Sequence, residues 1–247
     1  MESVIPRYSR QILLKVIGQE GQRRIERARV LVAGLGALGS LISILLARAG
    51  VGFLRIADHD TPELHNLHRQ ILYDESDTIS GFSKAKAAEK HLRAAASNII
   101  IEAVEAKIGH ETIGELIRDV DVVVDALDNI ETRYHVNDAI LQRCIPYVFG
   151  GAIETVGNVM TVIPGKTPCL RCLWPNPEAM LNHPRAAVVG VLSCAATAVA
   201  SVQVSETLKI LVGKHEELLS GLLVMDVWRT LFRVAPVEPD PDCICRR

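Results

Sequence analysis

Aromatic side chains are scarce in this chain. The 2 Trp, 4 Tyr and 4 Phe make up 4% of the sequence and leave few platforms on which bases could stack. Neither sign of charge dominates. With 27 basic and 29 acidic residues the formal net charge is −2, so no long-range field gathers nucleic acid or an anionic membrane. Neither is an expected partner. A flexible linker, an internal repeat and a low-complexity tract are also missing. Residues 1–11 carry Arg7, Tyr8 and Arg10 without the apolar core of a secretory signal, which predicts a cytoplasmic setting. Residues 186–205 are free of charge and about as long as the roughly 20 residues of a membrane span. They are Ala-rich and interrupted by Ser193, Thr197, Ser201 and Gln203, so they predict a buried core helix.

What is present is apolar content. At 49% of 247 residues it suffices for a sizeable core, in one α/β domain or two small ones. Short apolar runs alternate with helical spacing along the first two thirds. Strands are expected over 29–34, 53–58, 99–106, 120–126 and 146–151, and helices over 38–49, 83–97 (capped by Ser83), 111–118 and 130–143. This order predicts a Rossmann-like, doubly wound, mainly parallel sheet. After Gly150-Gly151 the pattern changes. Residues 156–164 alternate like a half-exposed strand, and 164–184 hold five prolines without helical periodicity. An Ala-rich helix follows over 191–212, then short strands near 222–227 and 231–234, an antiparallel carboxy-terminal extension. One domain over 1–247 is expected, divided into a helical arm (1–27), a nucleotide-binding part (28–152) and a substrate and dimer part (153–247).

Gly34, Gly36 and Gly39 form G-L-G-A-L-G between a strand and a helix, where glycines let backbone amides approach a phosphate. Asp58 ends the next strand, placed to accept hydrogen bonds from ribose hydroxyls. A nucleotide is implied, though a tight turn without ligand has the same glycines and a dinucleotide dehydrogenase carries the same device. The residues that follow favour a triphosphate, which needs fixed cations and a magnesium carboxylate rather than an apolar nicotinamide slot. Arg69 and Lys84 supply cations, and Asp128, with Asn129, projects beyond a strand at the carboxyl edge of the sheet, placed to hold Mg²⁺. Each has a plainer alternative: Asp128-Asn129 as a helix cap, Lys84 as a solvated lysine, Arg10 as one half of a surface ion pair.

Taken in order, R-Y-S-R-Q (7–11), G-L-G-A-L-G (34–39), D-H-D (58–60), N-L-H-R-Q (66–70), G-x-x-K (81–84) and D-A-L-D-N (125–129) resemble the ThiF-type superfamily over nearly the whole chain. That superfamily includes the adenylyltransferases of thiamine and molybdopterin biosynthesis and the ubiquitin-activating enzymes. The resemblance implies activation of a carboxylate by ATP, most directly the carboxy-terminal glycine of a ubiquitin-like carrier or modifier protein, as an acyl-adenylate with release of pyrophosphate. Asp58 would then bind ribose, and Asn66, Arg69, Gln70 and Lys84 the phosphates. Leu38 and Asp60 would line the same site, Asp128 would hold magnesium, and Arg10 would reach the ATP site of the other protomer in a homodimer. A small-molecule carboxylate as substrate and a catalytically inactive nucleotide-binding module are the two alternatives.

Six cysteines without a secretory segment argue against a disulfide scaffold. Cys169-x-x-Cys172 has the spacing that grips one tetrahedral zinc. The resemblance implies a second pair near the carboxy terminus, here Cys243-x-Cys245, one residue shorter, so two unligated reduced pairs remain the alternative to a zinc staple. Between Cys172 and Gly190 there is no cysteine for thioester or persulfide chemistry. Cys194, near the start of the Ala-rich helix, is the candidate nucleophile or else a small core residue, and Cys144 is expected to pack at a helix-to-strand junction.

Overall fold

Strand residues alternate between two cores. Val30 and Val32 of β1 (Arg29–Ala33) enter one cluster with Ile42, Leu46 and Leu92, while Leu31 and Ala33 enter another with Ile113, Val136 and Ile140. Both faces are therefore covered, which explains why the runs read as apolar throughout rather than every second residue. The structure, a computed structural model, describes residues 7–176 and 186–246. The part of the proline-rich connection at 177–185 lies outside them.

Eight strands form one sheet in the order β3-β2-β1-β4-β5-β6-β7-β8. Besides β1 these are β2 (Phe53–Ala57), β3 (Ile100–Val104), β4 (Val122–Asp125), β5 (Tyr147–Ile153), β6 (Val156–Val162), β7 (Leu222–Asp226) and β8 (Leu231–Ala235). The first five are parallel, with Val32 of β1 opposite both Ile56 and Val124. From β5 onward pairing is antiparallel, as the extension read from the sequence required. The chain reverses its direction of winding between β1 and β4, so the carboxyl ends of those strands open a crevice, the usual ligand position in such sheets.

Helices Gly18–Arg27, Ala37–Ala49, Lys84–Ala95 and Ser193–Val212 supply the residues of the first core, and His110–Leu116 and Ile130–Gln142 those of the second. Ser83 caps Lys84–Ala95 by accepting the Lys86 N–H, and Gly50, at φ +90°, ends Ala37–Ala49. The helix Ser193–Val212 is long and apolar enough to cross a membrane, but half of its apolar window is buried in the protein. Its inner side carries Gln203, Glu206 and Thr207, all buried and hydrogen-bonded. It approaches the sheet so closely that a Cβ on Gly157 would lie 2.3 Å from Val199.

Four expectations need correction. Residues 156–164 are nearly buried rather than half-exposed, because Val159 packs in the first core and Met160 and Val162 in the second. Among its described residues the proline-rich connection forms a helical turn, Leu170–Leu173, carrying Cys172. The Ala-rich helix starts at Ser193 because Val191 is held in a bridge to Glu154. Cys144 is exposed, with φ +55°, rather than packed.

Candidate active site

The glycines of the first turn do different things. At Gly34, φ is +94° and a Cβ would lie 2.7 Å from the Ala126 carbonyl, so the loop crosses directly over the end of β4. At Gly39 a Cβ would meet the Gly34 carbonyl at 2.0 Å, so this glycine sets how tightly the helix seats on its own loop. Gly36 alone faces open space, its nearest neighbour Gln70 Nε2 at 3.9 Å. Gly36 caps Ala37–Ala49 without a side-chain hydrogen bond, so the first amides of that helix open on a gap in the cleft wall.

A cleft of about 1000 Å³ runs from this gap along the carboxyl edge of the sheet. Gly34, Gly36 and Leu38 line one wall; Asp58, Asp60, Asn66, Arg69, Gln70 and Lys84 the next; and Asp128 and Asn129 the side across from them. Asp58 accepts the Leu35 N–H at 2.7 Å and the Asp60 N–H at 2.9 Å, so it fixes the glycine loop as well as facing the cleft. Lys84 is no solvated lysine: its side chain is 8% exposed and Nζ donates to Asp60 Oδ2 at 3.0 Å. Arg69 donates to the His65 carbonyl, and Asn66, buried, accepts the Glu63 N–H. Gln70 is buried beneath the gap with Oε1 unpartnered, a polar atom that a bound ligand or water would satisfy.

Across the cleft the pair divides. Asn129 is a true cap, accepting the Thr132 N–H at 2.8 Å, while Asp128 is exposed and, among the described residues, accepts a hydrogen bond only from Asn129 Nδ2 at 3.4 Å. Its carboxylate has no cationic partner among the described residues and is free for a divalent cation. Beyond it the lining becomes mainly apolar, with Phe149 and Trp174 in an edge-on contact, centroids 5.4 Å apart, and Ile153 and Val191 beside Asn158.

Two predicted residues stand apart from the cleft lining. Cys194 is exposed on the first turn of Ser193–Val212, three residues beyond Val191, which does line it. Arg10 is exposed on the short helix Ser9–Ile12, with no ion pair among the described residues. Its arm is fastened at the opposite, amino-terminal edge of the sheet. Tyr8 packs against Gly50 and its hydroxyl accepts from Asn98 Nδ2, while Gln11 Nε2 donates to the Ala49 carbonyl. Within one chain Arg10 and the cleft are thus on opposite edges.

Cys169, Cys172, Cys243 and Cys245 converge, their sulfurs all within 4.8 Å of one another. Two of these approaches cross the pairs, Cys169 to Cys243 at 3.5 Å and Cys172 to Cys245 at 3.6 Å. A tetrahedral zinc with Zn–S near 2.3 Å separates its sulfurs by about 3.8 Å, so the spacing fits. The short Cys243-x-Cys245 interval is no obstacle, because each of these sulfurs faces a different member of the first pair. Burial pushes the Cys169 thiol up to about 11 and raises that of Cys245, whereas at Cys172 hydrogen bonds outweigh burial and bring the thiol down.

Sequence reasoning missed Arg133 and Gln203. Arg133 pairs with buried Asp125 at 3.0 Å, and Gln203 Nε2 donates to the carbonyls of Asp125 and Val148, tying β4 to β5 under the cleft. A signal for Arg133 existed: it follows Asp128-Asn129 on the first turn of a helix opening at the cleft.

Compared with known families, residues 8–245 match the ThiF family. The chain is 41% identical over 243 residues to the sulfur carrier protein ThiS adenylyltransferase of Bacillus subtilis, covering 96% of this chain and 71% of that protein. It is 38% identical over 244 residues to the sulfur carrier protein adenylyltransferase of Thermus thermophilus (97% and 89%) and 36% identical over 239 residues to the SAMP-activating enzyme E1 of Haloferax volcanii (97% and 87%). Among solved structures it superposes on Escherichia coli MccB with ATP at a TM-score of 0.86, covering 99% of this chain and 75% of that one. At 21% identity this is a likeness of fold.

Proposed function

The chain belongs to the ThiF family and is an adenylyltransferase of the ThiF type, and from that premise we propose that it activates the carboxy-terminal glycine of a ubiquitin-like carrier protein with ATP. A carboxylate oxygen attacks the α-phosphorus, the bond from that phosphorus to the β-phosphate oxygen breaks, and pyrophosphate leaves an acyl-adenylate. The observation that carries the reading is the cleft itself. An uncapped helix start and a buried lysine at one end face a free carboxylate across from them, and the apolar half beyond gives an extended peptide tail room to enter.

In this reading Asp58 holds the ribose, and Asn66, Arg69, Gln70 and Lys84 hold the phosphates, with Asp60 fixing the Lys84 amine. Gly34 and Gly39 shape the loop, Leu38 and Asn129 fix the helix starts beside the nucleotide, and Asp128 carries magnesium. Bound there, Mg²⁺ would neutralise charge on the leaving phosphates. Arg10 acts in trans: its position on the edge away from its own cleft supports a homodimer in which Arg10 of the partner subunit completes the site. Cys194 would take the acyl group as a thioester, its thiolate displacing AMP. The cysteine cluster would hold a structural zinc that staples the segment around Cys169 to the tail and adds binding energy to folding. Six unpaired cysteines suit a reducing compartment such as the cytoplasm.

ATP–pyrophosphate exchange decides the substrate class. Exchange that requires a Gly-Gly-ended ubiquitin-like carrier supports the reading. Exchange with small carboxylates alone moves the protein to cofactor-type adenylation, and tight ATP binding without exchange makes it a binding module.

A further inference from the structure

Arg133 reaches back from the first turn of Ile130–Gln142 over the ends of β4 and β5. Its Nε donates to Asp125 Oδ2 at 3.0 Å, and its Nη2 donates to the Leu127 carbonyl and to the Gly150 carbonyl at 2.8 Å. The guanidinium lies 4.9 Å over the Phe149 ring. A guanidinium has five N–H groups, and these bonds use the one on Nε and both on Nη2. Nη1 donates to nothing among the described residues, although the side chain is only 13% exposed and lines the cleft. A Cβ on Gly151 would lie 3.7 Å from Nη1, so the bare backbone there leaves the nitrogen open. Two N–H donors are thus held fixed in the cleft wall, on a side chain anchored to the Leu127 and Gly150 carbonyls.

The charge of Arg133 is already met by Asp125, which is fully buried and held in turn by the Tyr147 hydroxyl at 2.8 Å and the Leu127 N–H at 2.8 Å. A cation so paired holds a full anion less tightly than a bare one would, so its open N–H groups act by fixing the direction of an acceptor rather than by binding charge. The reacting carboxylate offers such an acceptor. When one oxygen of a carboxylate bonds to phosphorus, the other passes from sharing a negative charge to being the carbonyl of a mixed anhydride.

We propose that Arg133 Nη1 holds the non-attacking oxygen of the substrate carboxylate and so aims the attacking oxygen at the α-phosphorus. This makes Arg133 a catalytic residue for the acyl half of the reaction, and it rests on the adenylation reading given above. The arrangement serves a free carboxylate, since an amide or ester held by its carbonyl oxygen offers no anionic oxygen to attack phosphorus.

The test is carrier-dependent ATP–pyrophosphate exchange on the full chain, with ATP affinity measured separately by calorimetry. Wild type is run first, and absence of exchange there would count against the adenylation reading, not against Arg133. Given exchange, Arg133→Lys keeps a cation beside Asp125 but loses Nη1. Its kcat should fall tenfold or more, with KM and Kd for ATP within twofold of wild type and the thermal midpoint recorded alongside. Should the lysine variant be unstable, Arg133→Met combined with Asp125→Asn removes both charges together, so that neither is left buried alone, and should show the same split. Exchange within twofold of wild type in either folded variant would overturn the assignment. So would a loss confined to ATP affinity, which would place Arg133 on the nucleotide.

Discussion

Replacing Gly36 and Gly39 by alanine, one at a time, separates binding from folding within a single six-residue turn. At Gly39 the new methyl would stand 2.0 Å from the Gly34 carbonyl, where no real Cβ contact falls. Loop and helix must part by about 1 Å, and because both sides are backbone, relief by rotamer change is closed. The cost belongs at the upper end of overpacking, about 3 kcal/mol, which for a chain of this size lowers Tm by about 6–12 °C. At Gly36, where φ is −74°, the methyl meets nothing nearer than 3.9 Å. The cost is that of losing glycine at a helix cap, about 1 kcal/mol or less, or about 2–4 °C. Its effect appears in turnover, because the methyl fills the gap where a phosphate would approach the helix amides. KM for ATP should rise about tenfold or more, a displacement of 1 Å being able to cost roughly 100-fold in rate. Differential scanning fluorimetry and pyrophosphate exchange on both variants read the two effects. A Gly36→Ala enzyme with wild-type KM for ATP, or a Gly39→Ala chain as stable as wild type, would refute the reasoning.

Other substitutions probe the rest of the site. Asp128→Ala should keep the wild-type Tm, since the carboxylate is exposed and its one contact weak, while magnesium-dependent exchange drops about 100-fold or more; unchanged exchange removes Asp128 from the mechanism. Cys194→Ala should leave exchange intact and abolish any thioester seen on non-reducing gels, and a thioester that persists reassigns the nucleophile. Cys243→Ser should lower zinc, measured by mass spectrometry, from about one per chain toward none and depress Tm by several degrees; a wild-type protein purified without metal and unaffected by chelators contradicts the staple. For Arg10, mixing inactive Arg10→Ala with inactive Asp128→Ala chains should restore exchange, because one mixed site then carries both native residues. No recovery on mixing means that Arg10 does not act across protomers.

The parts of this molecule that local chemistry dictates were readable from its residues. Strand periodicity, the glycine turn and the Ser83 cap all depend on neighbours within a few positions, and the eight strands fall where the apolar runs lie. What escaped depends on distant partners. Lys84 looks like any lysine at a helix start until Asp60, 24 positions away, is seen to hold its amine. Arg133 gains its role from carbonyls at Leu127 and Gly150, and the strand at 156–162 becomes buried only because β7 and the helix Ser193–Val212 close over it. The cysteine spacing pointed to the right four residues but not to their arrangement, since their convergence depends on segments more than 70 positions apart.

Cys243 and Cys245, each 6% exposed, share their cluster with Phe149 and Ile140, the packing that backs the wall of the cleft. These two cysteines are therefore internal filling, although Ile244 between them is exposed. A premature stop near residue 242, or a protease nick just ahead of it, would empty part of that packing and loosen the helix that bears Arg133.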